Sequence, residues 1–114
     1  MKVNITDLLI VFDELLTPPT DEEENVYWFR QKRSDGFSIT LTFSIYEGYV
    51  NIIIYHTSGI GIAHLRMKNC SEIRVLDEKK CCLEIVHDDS RRCFLSLSEG
   101  TILSYEEDPD LINS

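Results

Sequence analysis

Four cysteines, three histidines and two runs of carboxylates are the side chains through which this 114-residue chain would do chemistry. A zinc site brings its ligands in as short pairs two to four residues apart. Cys70, Cys81, Cys82 and Cys93 do not have that spacing, and the adjacent Cys81 and Cys82 point to opposite faces of a strand. The hairpin registers deduced below set Cys70 opposite Asp88, Cys82 opposite Leu76 and Cys93 opposite His87. No two cysteines then face one another, and reduced structural thiols are expected. His87 beside Cys93 is the one arrangement able to stabilise a thiolate nucleophile. No glycine-rich oxyanion turn accompanies it, so a Cys/His-dependent enzyme is the least favoured class. His56 and His64 have no partner ligand at metal spacing, and Asp21 to Glu24 lacks the alternating ligands and sharp glycine turn of a calcium loop. No metal and no cofactor are expected.

The carboxylates carry more information. The net charge of −9 is uneven: residues 1–25 hold −6, residues 26–105 hold +1 and residues 106–114 hold −4. The acids cluster at Asp21, Glu22, Glu23 and Glu24 and at Glu106, Glu107, Asp108 and Asp110. Such segments repel phosphate backbones and steer basic partners inward. Arg30, Lys32 and Arg33 beside Trp28 resemble a platform for single-stranded nucleic acid, but a near-neutral strand region flanked by ten negative charges opposes it. Nucleic acid is therefore not expected as a partner.

The elements that must position these groups follow from periodicity. Thr6 as a cap, Asp7 in the first turn, and Leu8, Leu9, Val11, Phe12, Leu15 and Leu16 at helical spacing predict a helix over about 7–16, stopped by Pro18 and Pro19. From Phe37 to Ile45, apolar residues alternate without a break with Ser38, Thr40, Thr42 and Ser44, the period of a strand buried on one face. Residues 25–105 read as strands joined by short turns. A three-residue loop at Ser34-Asp35-Gly36 pairs Phe29 with Leu41 and Tyr27 with Phe43, which keeps Arg30 and Lys32 off the core face. A two-residue Glu47-Gly48 turn pairs Ile45 with Val50, Phe43 with Ile52 and Leu41 with Ile54. Beyond Ser58-Gly59, Ile54 meets Ala63, Ile52 meets Leu65 and Val50 meets Met67. Later loops pair Val75 with Leu83, Ile73 with Ile85, Ile85 with Leu95, and Leu83 with Leu97.

The expected fold is therefore α+β: an N-terminal helix followed by about eight mostly antiparallel strands in meander order, forming a curled sheet or two packed sheets. It occupies residues 1–114 as one domain, with residues 106–114 as an acidic tail. The longest apolar run, Leu8 to Phe12, is far below the ~20 residues of a membrane helix, and no secretory signal is evident at the start. A cytoplasmic protein that does not engage membranes is expected.

The same registers place Trp28, Ile53, Tyr55 and Ile62 on the second face of the sheet, with Tyr46 and Tyr49 paired at the nearby turn. That face is too apolar to be wholly solvated. Either the helix covers it, the favoured arrangement, or part of it is a partner-binding patch rich in aromatic residues. In size, acidity, helix-plus-strand character and lack of a catalytic motif, the chain resembles the small immunity proteins of bacterial toxin systems. That resemblance implies a protein-binding module that neutralises a cognate basic toxin. Asp21 to Glu24, Glu106, Glu107, Asp108, Asp110, Trp28, Tyr46 and Tyr49 would then be the contacts, carboxylates pairing with the toxin's lysines or arginines. The alternative is a structural or regulatory homodimer joined through a sheet edge or the second face.

Overall fold

The computed structural model describes residues 1–12, 14–16, 26–77, 79, 81–88, 90–98 and 102–107, the final two through their backbone alone. The chain runs β1 (Lys2–Val3), α1 (Ile5–Val11), β2 (Glu14–Leu15), β3 (Val26–Lys32), β4 (Phe37–Ser44), β5 (Tyr49–His56), β6 (Gly61–Met67), β7 (Cys70–Asp77), β8 (Cys82–His87), β9 (Arg91–Ser96) and β10 (Leu103–Glu107). Two five-stranded sheets result, ordered β2-β3-β4-β5-β6 and β1-β7-β8-β9-β10. Neighbours are antiparallel except β1, which lies parallel to β7 with Lys2 beside Glu72 and Val3 beside Ile73. The α+β meander of one helix and about eight strands is thereby overturned. The protein is mostly β, with one short helix and a strand on either side of it, and only the two-sheet part of the expectation fits, in part.

The helix ends well before the expected Leu16, for a physical reason. Its cap is Asn4, whose side chain accepts from the Asp7 amide at 3.3 Å. By Phe12 the backbone has left helical geometry, at φ −99° and ψ 140°. Leu15 then pairs with Phe29, and the Leu16 amide donates to the Trp28 carbonyl at 2.6 Å. An apolar pair at helical spacing thus serves as an edge strand, because covering the open side of β3 satisfies backbone groups that a longer helix would leave exposed.

The first hairpin has the expected register. Gly36, at φ +91°, closes the Ser34-Asp35-Gly36 loop, and the Arg33 amide donates to the Phe37 carbonyl at 2.7 Å. Phe29 faces Leu41 and Tyr27 faces Phe43. At the second hairpin the register is displaced by two residues: Phe43 faces Val50, Leu41 faces Ile52 and Ile39 faces Ile54. Residues 45–48 form a four-residue turn in which the Gly48 amide donates to the Ser44 carbonyl at 2.9 Å. A shift of two preserves which face each side chain occupies, so the core composition is unchanged. The β5–β6 pairs are those expected. So are Val75 with Leu83 and Ile73 with Ile85, whereas β9 is displaced by two, setting Leu83 against Leu95 and Ile85 against Cys93.

The inner faces meet in one core. Phe29, Ile39, Leu41, Phe43, Val50 and Ile52 from one sheet and Leu83, Ile85, Cys93 and Leu95 from the other are fully buried in a single cluster. Leu8, Val11 and Phe12 belong to that cluster, Phe12 packing 5.2 Å from Phe29 between ring centres. The helix consequently plugs the space between the sheets and does not lie over the second face of the first sheet.

Candidate protein-binding surface

The two outer faces carry different chemistry. On the second sheet, Glu84 is buried between two arginines, accepting from Arg74 and pairing with Arg92 Nε at 3.3 Å. Arg74 also approaches Glu72 at 3.9 Å. Facing carboxylates and guanidinium groups neutralise one another around Glu84. The first sheet turns out Trp28, Ile53, Tyr55 and Ile62 instead, each out of phase with a core residue on its own strand. One ion pair, Arg30 with Glu14 at 2.7 Å, sits at the β2–β3 edge.

Toward β6 this face is apolar. Ile53, Tyr55, Gly61, Ile62, Ala63 and His64 line an open depression of about 320 Å³. Tyr55 is 46% and Ile62 53% exposed, and Ile60 at the adjoining turn reaches 61%. Arg66 Nε donates to His64 Nε2 at 3.3 Å, so the imidazole presents an acceptor to its neighbour. Trp28 is half-buried at the other side of the sheet, where its Nε1 and the Thr42 hydroxyl are buried without a hydrogen-bond partner among the described residues.

The expected contact residues are distributed as follows. Tyr46 stands 83% exposed on the β4–β5 turn. Tyr49 is half-buried and pairs across the ladder with Ser44, not with Tyr46, because the turn has four residues rather than two. Glu106 and Glu107 lie in β10, with backbones in register with Arg92 and Arg91. Asp21, Glu22, Glu23, Glu24, Asp108 and Asp110 lie outside the described residues. The strands to which they connect share one end of the molecule. Val26, Ser44 and Tyr49 form one rung, Glu107, Arg91 and His87 another, and the Cys70 amide joins the two by donating to the Gly48 carbonyl at 2.8 Å. Tyr46 is on the turn at that same end. Ile60 was not singled out from sequence, although an apolar residue directly after a Ser58-Gly59 turn is the available signal.

The His87 and Cys93 pair does not form as expected. The displaced register sets Arg91 opposite His87 and Ile85 opposite Cys93. His87 Nδ1 is instead 2.6 Å from the Tyr105 hydroxyl, and its Nε2 is 3.2 Å from Asp88. Burial pushes the Cys93 thiol up to about 12, with Cys70 adding to the effect, and pushes Cys70 up to about 11, with Asp88 adding to it. A nucleophile requires the opposite shift. None of the four cysteines is in a disulfide, and the registers set Cys70 opposite His87 rather than Asp88 and Cys82 opposite Asp77 rather than Leu76. Among the described residues no group of His, Cys, Asp or Glu is arranged to hold a metal, and no helix is long and apolar enough to cross a membrane.

Neither a family model nor a curated protein matches this sequence. The fold does have a match among solved structures. It superposes on a chain of a contact-dependent growth inhibition toxin–immunity protein complex from Klebsiella pneumoniae 342, with a TM-score of 0.63 at 16% identity. The alignment covers 94% of this chain and 95% of that one, so the similarity extends through both sheets and is one of fold.

Proposed function

We propose that this protein is an immunity-type inhibitor that binds and neutralises a cognate bacterial toxin in the cytoplasm, acting as a binding module and not as an enzyme. The observation that carries this reading is the near full-length fold match to a chain of a toxin–immunity complex. Charge supports the immunity side of such a pair: a −9 chain with acid clusters favours a basic partner. The proposed contacts are Asp21 to Glu24 with Glu106, Glu107, Asp108 and Asp110 as the steering and pairing groups, and Trp28, Tyr46 and Tyr49 as aromatic anchors. The strand ends that lead to both acidic segments share the end of the molecule that bears Tyr46, which supports one continuous contact region.

The test is to express the product of each adjacent gene with and without this protein and to measure growth and direct binding. One neighbour should arrest growth alone, be rescued by co-expression, and bind in vitro. Because carboxylates steer the encounter, the association rate should fall at least about tenfold between about 0.05 M and 0.5 M salt. Neighbouring products that neither harm growth nor bind would end the immunity reading. Salt-independent association would remove the acidic segments from it.

A further inference from the structure

The sheet edges differ in what they leave open. β1 and β2 are two residues each, and β10 ends in Glu106-Glu107. β6 is seven residues long, pairs with β5 on one side, and among the described residues pairs with no strand on the other. Such an edge presents a row of backbone N–H and C=O groups that another strand can pair, unless proline, charge or a covering segment prevents it. β6 contains no proline, and its arginine stands near one end. Ile60, Ile62 and Tyr55 remain exposed beside it.

Charge selects the occupant. With −9 on each chain, two copies repel wherever their carboxylates approach. From Gly48 to Ser71, the stretch that supplies β5 and β6, there is no Asp or Glu at all. β5 and β6 therefore bring no carboxylate of their own to this edge. Antiparallel pairing about a two-fold axis at His64 sets Ile62 of one protomer against Arg66 of the other, and Ala63 against Leu65. No arginine or lysine then faces another, and Ile62 lies along the aliphatic stem of Arg66. We propose that the protein self-associates through its β6 edge into a two-fold dimer, joining two five-stranded sheets into one of ten strands. A single strand edge is smaller than the roughly 800 Å² per partner typical of a stable interface, so the dimer is weak and concentration-dependent.

The inference is independent of the toxin reading, because the isolated full chain is its own probe. Sedimentation equilibrium from about 5 µM to about 1 mM should show the mass rising from 13.2 kDa toward twice that value. Ile62→Lys, an exposed substitution, places a cation against Arg66 of the other protomer and should weaken association at least about tenfold. Adding Arg66→Glu should restore it. In the wild type, amides of Gly61–Met67 should exchange more slowly at high protein concentration than at low. A monomer throughout, association indifferent to Ile62→Lys, loss without rescue by the double variant, or unchanged β6 exchange would each overturn the proposal.

Discussion

Cys93 shows how one buried side chain acquires a pH signature. Burial first, and then neighbouring Cys70, raise its thiol to about 12 from an ordinary 9.0. At pH 8 the thiolate fraction of the native residue is therefore about a thousandfold below that of an unfolded one. Alkylation with iodoacetamide, followed by peptide mapping, should find Cys93 protected in the native protein by at least that factor. The same shift sets a stability trend. The folded state holds the proton more tightly than the unfolded state, so this contribution is complete below about pH 9 and is lost as pH rises toward 11 and 12. The urea midpoint should fall over that interval. In Cys93→Val, which keeps an apolar side chain of similar size and has nothing to titrate, the fall should be smaller. Equal falls in both proteins would assign the alkaline loss to other groups.

At the scale of elements, Gly48 joins the sheets as well as closing a turn. Its φ is +71°, and a β-carbon there would sit 3.1 Å from the Cys70 carbonyl oxygen. Gly59, at φ +87°, has open space around it. Gly59→Ala should lose only the conformational preference, about 1 kcal/mol. Gly48→Ala should lose about 2–3 kcal/mol, because the contact between the β4–β5 turn and the start of β7 must also give. Equal losses in denaturant titrations would mean that this contact is soft. The same turn shows what was legible in the sequence. Alternation from Phe37 to Ile45 assigned the inward face correctly, since a face is a property of period two. Turn length was not legible: Glu47-Gly48 reads as a two-residue hairpin, and only the bond from Cys70 to Gly48 reveals why a four-residue turn is used. The segment from Glu14 to Leu16 failed for a related reason. Its leucines sit at helical spacing, but the open edge of β3 decides their conformation, and that edge is distant in sequence. Of the expected contact residues, half-buried Trp28 follows from alternation, whereas Tyr46 stands on the unforeseen four-residue turn and the expected His87–Cys93 pair is lost to the two-residue register shift.

For the molecule as a whole, the question is whether two sheets with separate hydrogen-bond networks behave as one unit. Their link is side-chain packing reinforced at a few polar points, among them Arg33. Its guanidinium, nearly inaccessible, pairs with Asp35 at 2.7 Å and donates to the Ser96 carbonyl of β9 at 3.1 Å. Leu41 of one sheet and Leu83 of the other are both fully buried in the shared cluster, so truncating either removes contacts for both sheets. Leu41→Ala and Leu83→Ala should each cost about 2–5 kcal/mol. Trp28, the single tryptophan, reports on the first sheet, while far-UV circular dichroism reports on both. If the core couples the sheets, the fluorescence and dichroism transitions coincide in the wild type and in both variants, and Leu83→Ala moves the Trp28 transition as far as Leu41→Ala does for an equal loss of stability. If Leu83→Ala instead lowers the dichroism midpoint while Trp28 unfolds at its original denaturant concentration, the sheets fold separately. A partner-binding surface on the first sheet would then be maintained without the second.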